Sequence, residues 1–101
     1  MKKVRLLIIL LCLVSLLPTV NYFINQNIEK KKEQKQELLR RELKYWENIV
    51  VESPTYRDGY VQLAIGYMQL GAIPAAKENL QRALELDPNW VIPPQLEQLL
   101  L

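Results

Sequence analysis

Residues 6–17 are apolar at every position but Ser15, whereas residues 25–37 hold a single apolar side chain, Ile28. A chain divided this unevenly cannot fold about one core. The greasy run needs lipid or a covering surface, the polar run needs water, and only the residues C-terminal to both can become globular. The apolar stretch extends to Ile24, broken by Ser15, Pro18, Thr19 and Asn21. As a helix rising about 1.5 Å per residue, residues 6–24 would cover roughly 28 Å, close to the hydrocarbon thickness of a bilayer.

The flanks agree with a single span. Lys2, Lys3 and Arg5 can reach back to head groups, and Tyr22 and Phe23 stand where an aromatic belt belongs. Pro18 is tolerable near the far end, where the interface compensates for its lost backbone bond. A cleaved secretory signal is the alternative, because residues 6–17 are also the length of a signal core. No pair of small residues in an A-x-A-like arrangement follows that core, which favours an uncleaved anchor. The basic head favours an N-terminus inside and an extracytoplasmic C-terminal part, although Lys30, Lys31, Lys32 and Lys35 on the other flank pull the opposite way.

The composition excludes several kinds of chemistry. There is no histidine and the sole cysteine is Cys12, inside the apolar run. A structural zinc site needs about four N or S ligands, so none is expected, and no intramolecular disulfide can form. Leu11 stands where a lipoprotein would need a small residue before its cysteine. The net charge of +2 argues against nucleic acid as a partner. No paired carboxylates and no glycine-rich phosphate loop occur. The expectation is a chain without catalytic residues, cofactor, metal or small-molecule substrate.

Residues 25–37 read as a solvated helical linker, supported by a Glu37–Arg41 pair at i,i+4 and weakened by Glu33 facing Glu37. Its basic cluster also suits contact with anionic lipid. Periodicity then returns. Leu39, Leu43, Trp46 and Val50 are spaced 4, 3 and 4 apart and so share a helix face, which Ile49 widens. Pro54 ends that helix. Thr55 is placed to cap the next one, with Asp58 completing a shortened capping box. Gly71 is free to adopt the positive φ that ends a helix, Pro74 suits the first turn of another, and Pro88 stops it. In residues 89–101 a double proline precedes a last turn or two, with Leu96, Leu99 and Leu100 expected on one side.

The 34 residues from 57 to 90 carry apolar and small side chains at fixed offsets: Tyr60, Leu63, Ala64, Tyr67, Ala76, Leu80, Ala83 and Pro88. This pattern resembles one tetratricopeptide repeat, W-x2-L-G-x2-Y followed by A-x3-F-x2-A and a proline. Leu63, Tyr67, Ala76, Ala83 and Pro88 are the consensus residues themselves; Tyr60, Ala64 and Leu80 are close substitutes. Residues 38–54 are similar to the second helix of a preceding unit, with Trp46 at its aromatic position, although Glu42 and Ile49 replace small residues. The first helix of that unit is missing, since the polar linker occupies its place.

The expected architecture is all-α: a basic tail (1–5), a transmembrane helix (6–24), a charged linker (25–37), a half repeat (38–54), a repeat (55–90) and a capping segment (91–101). The resemblance implies a module that binds another protein or peptide, or a second copy of itself. Family members use the first helix of each unit to line a concave surface. By that analogy Asp58, Val61, Ile65, Met68 and Gln69 are the candidate contacts, and their mostly apolar character suits an amphipathic helix rather than a terminal carboxylate. The same side chains could equally be covered by the cap or by the preceding helix. The layout of basic head, one span and charged helix also resembles the septum-formation initiator family of bitopic assembly factors. Those continue with a heptad coiled coil, for which residues 29–37 offer no apolar seam.

Overall fold

A computed structural model describes residues 1–101. The chain is all-α. Helix α1 runs Lys2–Glu52, α2 Arg57–Gln69, α3 Ile73–Leu86 and α4 Pro94–Glu97, and a 3₁₀ turn follows at Gln98–Leu100. Two compact units emerge, Met1–Lys35 and Gln36–Leu101, each with its own logic.

The first unit is a stretch of α1 alone, and every one of its side chains is exposed. Leaving a leucine or isoleucine uncovered forgoes about 1.5–3 kcal/mol. With Leu6, Leu7, Ile8, Ile9, Leu10 and their neighbours all bare, the penalty in water would be tens of kcal/mol on the same scale. The segment is therefore a candidate membrane anchor or signal sequence. Ser15 fits such surroundings because its hydroxyl donates to the Cys12 carbonyl at 2.7 Å, hiding the one polar group of the apolar core. Pro18 lies inside the helix without ending it.

In the second unit, residues 36–52 of α1 lie against α2, and α2, α3 and the C-terminal turns enclose the core. Its fully buried members are small or branched: Ala64, Ala76, Leu80, Ala83 and Leu96, joined by Val61 and Leu99. No polar or charged side chain is buried among them. Ala76, Leu80 and Ala83 recur at 4 and 3 on the inner face of α3, as the periodicity requires. On α1 the stripe of Leu39, Leu43, Trp46, Ile49 and Val50 is the covered one, with Leu43 only 5% exposed.

The α2–α3 connection is a Schellman turn. Gly71 takes φ +79, its N–H donates to the Met68 carbonyl at 3.0 Å, and the Ala72 N–H donates to the Tyr67 carbonyl at 2.9 Å. Ile73 and Pro74 open α3, and Asp87 caps its C-terminus just before Pro88. At the other end of α2 the expected capping box does not form. The helix starts at Arg57, its N-cap is Tyr56, and no side chain caps it. Thr55 lies one residue too early, and Asp58 Oδ1 accepts from Arg57 Nε at 2.9 Å instead.

The last turns also correct the expectation in one place. Leu96 and Leu99 are buried, but Leu100 is 57% exposed. The chain tightens from α to 3₁₀ after Glu97. With three residues per turn, position i+3 falls above i and position i+4 swings away from it.

Candidate functional site

Two glycines set how α1 meets α2. A Cβ on Gly59 would lie 2.6 Å from Val50 Cγ1, and one on Gly66 would lie 2.5 Å from Leu43 Cδ2. Both distances are far inside carbon–carbon contact, so only glycine lets these side chains seat on the α2 backbone. The pairs run 43 with 66 and 50 with 59, which is an antiparallel register two helical turns long. Tyr67 fastens the same face by donating its hydroxyl to Glu47 of α1. That bond, then burial, then the nearby carboxylate charge push the Tyr67 hydroxyl up to about 12.

At the opposite end of the hairpin Arg57 joins both helices. Its Nη1 donates to Asp87 Oδ2 at 2.8 Å and its guanidinium lies 5.0 Å from the Trp90 ring centre. The carboxylates of Asp58 and Asp87 hold the Arg57 pKa above its ordinary value, with the hydrogen bond to Asp58 the largest cause.

Between α1 and α2 a groove of about 230 Å³ remains open, lined by Leu39, Glu42, Leu43, Trp46, Gln62, Ile65, Gly66 and Gln69. Leu39, Leu43, Trp46 and Ile65 form its apolar walls, Gln62 and Gln69 add polar side chains, and Glu42 is its one charged group. Glu42 takes part in none of the ion pairs of the chain. Such a groove suits a helical segment that offers apolar side chains and a cation.

The structure divides the five residues expected to bind. Ile65 and Gln69 line the groove. Val61 does not: it is 7% exposed and belongs to the core cluster with Leu96 and Leu99. Met68, seven residues on and so on the same edge of α2, packs against that cluster and accepts from Gln98 Nε2 at 3.2 Å. The C-terminal turns thus cover the edge carrying Val61 and Met68. Asp58 stands apart, occupied by Arg57. Of the two alternatives open for Val61 and Met68, a ligand or the cap, the packing matches the cap. Sequence reasoning left out Gln62 and Glu42 as groove residues, and it missed the role of Gly59 and Gly66. The signal for the glycines was there, in a pair seven apart on α2 matching Leu43 and Val50 seven apart on α1.

No protein-family model matches the chain, and no solved structure does. A stretch of 33 residues, 33% of the chain, is 52% identical to part of the type IV pilus assembly protein PilF of Pseudomonas aeruginosa. The chain spans only 13% of the length of that protein. The likeness, taken with the hairpin just described, supports tetratricopeptide-like helical content.

Proposed function

We propose that this chain is a membrane-anchored, non-catalytic interaction module. In this reading residues 6–24 anchor it as a single span, and the second unit, on the extracytoplasmic side, docks a helical segment of another protein. The observation that carries the reading is the groove between α1 and α2, apolar along Leu39, Trp46 and Ile65 with the unpaired carboxylate of Glu42 at its edge. The likeness to part of a pilus assembly protein favours a role in building a larger assembly. Catalysis has little to work with, since histidine is absent and Cys12 sits in the apolar helix.

A photo-crosslinking residue placed at Gln69 in the groove, compared with one at Glu78 on α3, tests the docking. The expected result is a discrete cross-linked protein from position 69 and not from position 78, lost when Leu39→Glu is added. Equal yields at the two positions would remove the groove as the docking site. Retention in membranes after a carbonate wash tests the anchor; a soluble, shortened product would mean a cleaved signal instead.

A further inference from the structure

The charged stretch just beyond the apolar span gathers three of its four lysines on one face of its helix. With about 100° between successive residues, Lys31, Lys32 and Lys35 share one arc of roughly 100°, and Glu29, Glu33 and Lys30 share another roughly across the helix. Ile28 lies within the lysine arc and is 46% exposed. Ile24 lies there too, so the apolar surface of the span runs directly into the basic face. None of the three lysines takes part in an ion pair.

We propose that this face, Lys31, Lys32 and Lys35 with Ile28, binds the phosphate head groups of anionic lipids. The proposal rests on the membrane reading of residues 6–24. Along the helix axis Lys31 stands about 10 Å beyond Ile24 and Lys35 about 16 Å. The head-group layer is roughly 5–8 Å deep and the Debye length in physiological salt about 8 Å, so Lys31 and Lys32 lie inside the attractive zone and Lys35 at its edge. Lysine stems extend back along apolar surface while the ammonium stays in the polar layer, and Ile28 supplies that surface.

The test uses the full chain in phosphatidylcholine vesicles doped with spin-labelled lipid. The population of immobilised label at the protein boundary is compared for phosphatidylglycerol and phosphatidylcholine. The expected preference for phosphatidylglycerol is about fivefold, falling to less than about twofold in Lys31→Gln/Lys32→Gln/Lys35→Gln and in high salt. Glu29→Gln/Glu33→Gln makes the same size of net-charge change per residue on the other side, and it should move the preference by less than about twofold. An unchanged preference in the lysine variant overturns the proposal, as does an equal response to the glutamate changes, which would reduce the effect to net charge. A carbonate wash of the same vesicles separates the two readings. A chain that stays in the membrane without lipid preference refutes only the lysine face, whereas a chain that washes off refutes the anchor and the lysine face together.

Discussion

The Tyr67 hydroxyl donates to the Glu47 carboxylate, tying the last turn of α2 to α1 across twenty residues of sequence. The bond exists only while Tyr67 keeps its proton. Because the folded-state pKa is raised to about 12 from an ordinary 10.0, the folded state holds that proton more tightly than the unfolded chain. Its contribution is fully present below pH 10 and is lost as pH climbs toward 12. In detergent-solubilised protein, urea midpoints should fall more steeply across this window for the parent chain than for Tyr67→Phe. Parallel pH curves for the two would show that the bond does not matter.

Gly59→Ala should destabilise the second unit even though alanine is the better helix former. The propensity gain is about 1 kcal/mol, while the new methyl meets Val50 Cγ1 at 2.6 Å. Valine has little χ1 freedom to retreat, and overpacking typically costs about 1–3 kcal/mol. Adding Val50→Ala should return part of the loss. A double-mutant cycle in urea showing no coupling between the two positions would contradict this packing.

Ala83 has no exposed surface at the inner face of α3. Ala83→Leu is expected to cost about 1–3 kcal/mol, and more if the core cannot shift. Ala83→Ser, nearly the same size, should be milder in geometry but leaves a hydroxyl seeking a partner. A thermal midpoint for Ala83→Leu equal to that of the parent would mean the residue is not enclosed between helices.

Leu96→Ala and Leu100→Ala make a matched pair at the C-terminus. The first removes a fully buried side chain and should cost about 2–5 kcal/mol; the second, exposed, should change stability by less than about 0.5 kcal/mol. Similar losses at both positions would mean that the last turns continue as α-helix instead of tightening to 3₁₀.

Much of this was readable in the residues. The stripe of Leu39, Leu43, Trp46 and Val50, the inner face of Ala76, Leu80 and Ala83, and the turn at Gly71 all follow from local periodicity or backbone chemistry. Such signals involve residues within a turn or two of one another. The departures lie at three places, the first being Leu100, which the tightening to 3₁₀ leaves exposed. At Thr55 a favourable cap lost to a helix that starts two residues later, with Asp58 claimed by Arg57. At Val61 and Met68 the apolar stripe left its cover open between a ligand and the cap, and the cap packs there.

The residues alone determined which segments are helical, where those helices stop, and that an apolar head precedes a charged stretch and a small helical unit. Each of these rests on propensity, period and turn chemistry, which act over short sequence distances. Tertiary structure decided which edge of α2 is closed by Leu96 and Leu99 and which is left open beside Leu39 and Trp46. It also decided that Gly59 and Gly66 would serve as seats for Val50 and Leu43. An apolar stripe says that something must cover it; the identity of the cover depends on contacts between distant residues, and those exist only once the helices have packed.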